Sequence, residues 1–149
     1  MLELLNNGIL LYGDDIRNQL TYPIYAQMRD DIARHVQTTR EHGTSIGWLL
    51  DIARGFYSLR TGKVIAKTAA GEWALENDLC PDADAIQKAV AIRKEPLKYS
   101  KDDRHIDIAI VQRFADAIDQ EFTNTVQRLA ETELQCMNIA FNSLILRCC

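Results

Sequence analysis

From residue 20 onward, apolar residues recur every three or four positions, and glycine or proline interrupts the pattern at short intervals. That period buries one face of a helix, and no later segment alternates in the way a half-buried strand requires. Ile24, Met28, Ile32 and Val36 predict a first helix, with Pro23 in its first turn, running to about Glu41 and stopped by Gly43. Trp48, Leu49, Ile52, Phe56 and Leu59 predict a second, with Ser45 as its N-cap and Gly62 just past its end. Ala70, Trp73 and Ala74 line a third helix from about Lys67 to Asn77. Pro81 and Asp82 open a fourth, carrying Ile86, Ala89, Val90 and Arg93 and closed by Pro96. A long helix begins near Asp102, with Ile106, Ile110, Phe114, Ile118 and Phe122 spaced by four. The segment from Thr123 stays helix-compatible through Val126, Leu129 and Leu134 and ends in an apolar stretch, Ile139 to Leu146.

The exception lies at the start. Ile9 to Tyr12 is a short apolar run between Asn6-Asn7-Gly8 and Gly13, and it reads as a lone strand after a turn. A strand needs a neighbour for its backbone donors and acceptors, and no second strand is in sight. The expected fold is all-α: a bundle of about five helices with a short N-terminal strand-like segment and a long C-terminal helix. Residues 1–19 read as a remnant of the exit from another domain, 20–122 as the bundle, and 123–149 as a helical tail and candidate oligomer interface. An apolar tail left in water would exceed what a soluble monomer usually exposes.

Composition narrows the partners. The 149 residues carry a net charge of −4, so a basic stripe for nucleic acid is not expected. No apolar run is long enough to cross a membrane, and MLELLNNG is no signal peptide. Cys80, Cys136, Cys148 and Cys149 fall in no metal-like spacing, which predicts free thiols and a cytoplasmic setting.

The chemistry concentrates in Asp51 to Glu76. Arg54 on the second helix and Lys67 at the start of the third stand at the two ends of an otherwise apolar or turn-forming stretch. A cation at a helix N-terminus works against the helix dipole, which hints at something negative nearby. Arg54 is open to two readings: an internal pair with Asp51 or Glu72, or a guanidinium clamping phosphate oxygens from a cleft wall. Thr61-Gly62-Lys63 lacks the upstream glycine and following hydroxyl of a phosphate loop. Asp82 and Asp84 have the spacing of a magnesium pair but suit a helix cap better. Arg29 and His35 loosely match the arginine–histidine spacing of certain helical ribonucleases, yet they fall about 120° apart around a helix. His42 and His105 have no partner in metal spacing, and Trp48 and Trp73 read as core residues.

Ala53-Arg54, Phe56-Tyr57, Thr61-Gly62-Lys63-Val64, Lys67 and Gly71-Glu72-Trp73-Ala74-Leu75-Glu76 together resemble the C-terminal helical domain of aminoglycoside adenylyltransferases of the streptomycin/spectinomycin type. NNGILLYGDDI is similar to the last strand and exit loop of that family's catalytic domain, and the likeness covers about Leu5 to Phe122. The resemblance implies that the helical domain closes the cleft over ATP. By position, the family's phosphate-contacting arginine falls on Arg54 and its lysine on Lys67. A further contact falls on Arg93. In the family, the catalytic domain supplies a Gly-Ser turn, a base and carboxylates that hold magnesium and ATP. These 149 residues contain no Gly-Ser turn followed by paired acids. Where the drug-modifying members grip the aminoglycoside with acids and aromatics, Arg40 to Ser45 offers one acid, Glu41, beside Arg40.

The expectation is therefore half of an active site, the closing domain of an adenylyltransferase-like protein. ATP and magnesium are implied only for a full-length relative; this chain itself is expected to hold no metal and no cofactor. Its expected partners are a nucleotide and a small-molecule acceptor when a catalytic domain is supplied, together with a second copy of the chain through the tail. It is expected to be inactive alone. The rival reading is a helical oligomerising interaction module, similar to toxin–antitoxin bundles and without enzymatic activity. A ribonuclease using His35 is a third.

Overall fold

A computed structural model describes residues 8–145, apart from the side chains of 129, 132, 133 and 136–145. Five α-helices succeed one another: α1 (Tyr25–His42), α2 (Gly47–Thr61), α3 (Lys67–Glu76), α4 (Ala83–Lys94) and α5 (Ile108–Ile145). No strand occurs among the described residues, so the all-α bundle stands. The N-terminal run is no strand here: Ile9, Leu11 and Tyr12 are 83%, 93% and 97% exposed and pair with nothing that would make a ladder. Without a neighbouring edge, the segment has no partner for its backbone groups. Arg17 ties this stretch to itself, donating to Asp15 at 2.9 Å and to the Gly8 carbonyl at 3.0 Å.

Helix α2 is the spine. Leu49, Leu50, Ile52, Ala53, Gly55, Phe56, Ser58 and Leu59 are buried, a set too wide for one stripe, so α2 meets neighbours on most of its circumference. Val36 of α1, Ala70 and Ala74 of α3, Ile86, Ala89 and Val90 of α4, and Val111, Phe114, Ala115 and Ile118 of α5 complete one continuous core. The close approach of α3 depends on Gly71. A Cβ there would sit 2.6 Å from Leu50 Cδ2 and 2.8 Å from Val90 Cγ2, inside contact distance of both α2 and α4.

Several predicted boundaries hold. Asp82 caps α4, accepting a hydrogen bond from the Ala85 amide at 3.0 Å, and Gly62 ends α2 in the left-handed region at φ +68°. Others shift. Pro23 stands just outside α1, which opens after Ile24, whose amide donates to Gln27 Oε1 at 3.1 Å. The long helix starts at Ile108 rather than near Asp102, because residues 104–106 are taken by another partner. The Ile46 amide donates to the Arg104 carbonyl at 2.8 Å and the Ile106 amide to the Thr44 carbonyl at 3.0 Å. Ser45 therefore pairs across with His105 instead of capping α2. Asp107 starts α5 in its place, accepting from the Ala109 amide at 2.8 Å. The strict spacing of four on α5 also drifts by about 40° per step around the helix. Phe114 and Ile118 face the core squarely, Ile110 and Phe122 lie at its edge, and Val111 and Ala115 fill the stripe between.

Polar side chains fasten α5 to the rest. Arg40 of α1 reaches Asp116 at 2.8 Å and Gln112 at 3.0 Å, and Gln112 donates back to the Arg40 carbonyl. Glu121, whose side chain is 5% exposed, receives Arg60 of α2 at 2.8 Å and Arg128 of α5. Burial pushes the Glu121 carboxyl up, but the Arg60 and Arg128 guanidiniums outweigh it and hold the group below the usual glutamate range. The expectation that Ile139 to Leu146 docks or pairs, and the readings of residues 1–7 and of Cys136, Cys148 and Cys149, fall outside the described residues. No helix among the described residues is long and apolar enough to cross a membrane.

The Glu121 pair sets a pH dependence. A depressed carboxyl contributes stability above its unfolded value and loses it as pH falls through the folded one. Glu121→Gln is expected to lower stability by about 1–3 kcal/mol at neutral pH. The gap from wild type should close as the pH drops below the ordinary glutamate range. Urea denaturation followed by tryptophan fluorescence at several pH values checks this, and a pH-independent gap would contradict it.

A candidate cleft lined by Asp51 and Arg54

The sequence places Asp51 and Arg54 three apart on α2, so they lie on neighbouring turns of one face. After Gly62 reverses the chain, the non-helical connection up to Ala66 runs back along α2, and α3 begins at the level of Asp51. Lys67, the first residue of α3, places Nζ 2.7 Å from Asp51 Oδ1 and 2.8 Å from Oδ2. Arg54 Nη2 donates to Oδ1 at 3.2 Å. From α1, His35 brings Nε2 to 3.6 Å from Oδ2 and packs on Trp48 at a 42° tilt, with ring centroids 5.1 Å apart. Three helices thus meet on one carboxylate.

Burial orders the cluster. The Asp51 side chain is 8% exposed, whereas those of Arg54, Lys67 and His35 are 30%, 31% and 46% exposed. The anion sits inside and the cations form the rim, leaving one net positive charge on the outer side. Each cation touches Oδ1, so the two lie no more than about 6 Å apart, where their mutual repulsion at an effective dielectric of 20 is about 3 kcal/mol. The carboxylate between them makes that spacing tenable.

Asp51, Arg54 and His35 line a cleft of about 830 Å³ between α1, α2 and the connection to α3. Its remaining wall includes Tyr22, Gln27, Gly55, Ser58 and Val64, with Asp30, Asp31 and Arg34 along α1. Asp30 and Asp31 are matched by Arg29 at 3.7 Å and by Arg34. The volume suits a ligand of drug or nucleotide size.

The structure brings Arg54 and Lys67 together on a shared anchor; Arg54 makes the internal pair with Asp51, and its guanidinium stays partly exposed in the cleft lining. Glu72, the other partner considered, is held by Lys94 instead, at 2.5 Å. The negative group expected near the Lys67 end of α3 exists inside the protein, as Asp51. Arg93 is exposed near the end of α4, outside the cleft lining, and no hydrogen bond or ion pair holds it among the described residues. His35 and Arg29 are separated: His35 faces the cleft, while Arg29 lies against Phe122 and Val126 on the α5 side. Asp82 is committed to the α4 cap and to Arg113 at 2.9 Å. Trp73 is partly buried and packs edge-on against Tyr57, centroids 5.1 Å apart. Burial, with Asp78 adding to it, pushes the Cys80 thiol up to about 11, which leaves it a poor nucleophile. No group of three His, Cys, Asp or Glu side chains that could hold a metal ion occurs among the described residues.

Sequence reasoning passed over His35 as a partner of Asp51, and Asp51 as the partner of Lys67. The signal available was Asp51 itself, an acid in the most apolar helix of the chain. Arg54→Ala is expected to cost about 1–2 kcal/mol, because Asp51 loses one of its partners but the site stays open to water. Arg93→Ala should remain within about 0.5 kcal/mol of wild type. Urea denaturation of both variants checks the contrast.

Two thirds of the chain, residues 23–121, matches the family model for the C-terminal domain of aminoglycoside adenylyltransferases. The match spans α1 to α4 and the packed part of α5, and includes Arg54, Lys67 and Arg93. No curated protein and no solved structure matches the chain. The chain belongs to the aminoglycoside adenylyltransferase family, as a C-terminal helical domain.

Proposed function

We propose that this bundle is the closing half of a nucleotidyl-transfer cleft and that Arg54 and Lys67 meet the triphosphate of ATP. The observation that carries this is the pair of cations from adjoining helices, held side by side on Asp51, with Asp51 and Arg54 in the wall of a nucleotide-sized cleft. When an acceptor hydroxyl attacks the α-phosphorus, the bond to the pyrophosphate oxygen breaks and negative charge grows on the leaving group. Cations already in place stabilise that charge without reorganising. A guanidinium offers two parallel donors to phosphate oxygens, and an ammonium supplies a compact point charge. In this reading magnesium, the base and the acceptor's activation come from a catalytic module, and the bundle is inactive without one. Arg93 would be an outer contact for the same phosphates.

Calorimetric titration with magnesium-ATP tests this. Wild type is expected to bind, and Arg54→Ala and Lys67→Ala each to weaken binding by about tenfold, the effect of losing one charge-assisted contact of about 1.4 kcal/mol. Wild-type affinity in both variants would refute the reading.

A second reading, an oligomerising module, has an observation of its own. Helix α5 runs for 38 residues, whereas the other four have 10 to 18. Its later part overhangs the bundle, with Val126 and Leu134 50% and 57% exposed. If a second copy covers this overhang, Val126→Glu with Leu134→Glu should convert a dimer to a monomer in light scattering. A wild-type monomer at all concentrations would rule it out.

A further inference from the structure

We propose that Asp51 is the positioning residue of this site: it presets Arg54 and Lys67 for anion capture, although its own charge repels the anion. The inference rests on the phosphate-binding reading above and adds a role for a residue which that reading does not use.

The geometry supports positioning over simple neutralisation. A surface counter-ion would be solvated and loosely placed, but the Asp51 side chain is 8% exposed and both of its oxygens are engaged. Lys67 bridges the two oxygens at 2.7 and 2.8 Å, Arg54 takes Oδ1 at 3.2 Å, and His35 closes on Oδ2 at 3.6 Å. Backbone from three helices fixes the four groups, because Asp51 and Arg54 share α2, Lys67 opens α3 and His35 belongs to α1. Long cationic side chains lose much rotamer freedom when they grip a ligand. A buried carboxylate takes that loss during folding, so the phosphates meet cations already ordered. Both cations stay partly exposed, and Arg54 lines the cleft.

Charge alone and positioning predict opposite outcomes for one substitution. Asp51→Asn removes a negative charge next to an anion site, so charge alone predicts tighter binding of phosphates. Positioning predicts weaker binding, because a neutral amide cannot hold two cations together. Asp51→Glu keeps the charge but moves it by one methylene; charge alone predicts wild-type affinity, and positioning again predicts a loss.

The test is a titration of the full chain with inorganic tripolyphosphate, and separately with magnesium-ATP, at fixed low salt. Folding of each variant is verified by circular dichroism. Both Asp51 variants are expected to bind about five- to tenfold more weakly than wild type, and the loss should disappear in the background of Arg54→Ala with Lys67→Ala. Equal or tighter binding by Asp51→Asn, or wild-type affinity in Asp51→Glu, overturns the inference and leaves the phosphate-binding reading standing. If wild type binds neither probe, the phosphate-binding reading fails and anion capture fails with it. Arginine side-chain NMR then still reports on the anchoring itself. Rotation of the Arg54 guanidinium about its Nε–Cζ bond should be hindered in wild type and free in Asp51→Asn, and free rotation in wild type would show that Asp51 holds nothing in place.

Discussion

A carboxylate shielded from water must find cations or hydrogen-bond donors, and in this bundle Asp51 draws them from three directions. Its place on α2 is fixed by the packing of Leu49, Leu50, Ile52 and Ala53, which leaves the aspartate side chain only 8% exposed, at the cleft wall. Arg54 supplies one partner from the same helix, and α3 must start where Lys67 can supply another. The irregular connection after Gly62 and the glycine-mediated approach at Gly71 are the backbone features that allow this. Local sequence, chain reversal and packing therefore all converge on one ion cluster.

The cluster gives the bundle an electrostatic polarity. Its anion lies inside and its two cations outside, a local excess of one positive charge in a chain that is acidic as a whole, at −4. The overall charge is thus a poor guide to this site. Other charges are paired as well: Asp30 and Asp31 are balanced by Arg29 and Arg34, and Glu121 takes two cations, Arg60 and Arg128. Asp51 differs from Glu121 in lining the cleft together with one of its cations, Arg54.

Much of the bundle was legible in the residues. Gly62 and Asp82 marked a helix end and a helix start because their chemistry is local: a left-handed backbone and a side-chain cap. Ser45 and the start of α5 were misplaced because the competing partners are distant in sequence; nothing near Ser45 announces His105. The N-terminal run looked like a strand because apolarity is local, whereas pairing is not. The site was half legible. Arg54 and Lys67 stood out as cations in an apolar stretch, and the awkward lysine at the N-terminus of α3 correctly demanded a negative group. That this group is Asp51, sixteen residues earlier, depends on the length and path of the connection, which periodicity does not report. His35 joins from α1 through tertiary packing alone.

Crystals of the chain soaked in magnesium-ATP or tripolyphosphate put the central claim to its most direct test. The account predicts phosphate oxygens within hydrogen-bond distance of both Arg54 Nη and Lys67 Nζ, with Asp51 still holding the two side chains from behind. An anion bound elsewhere, or cations that leave Asp51 for opposite sides of the cleft, would contradict it.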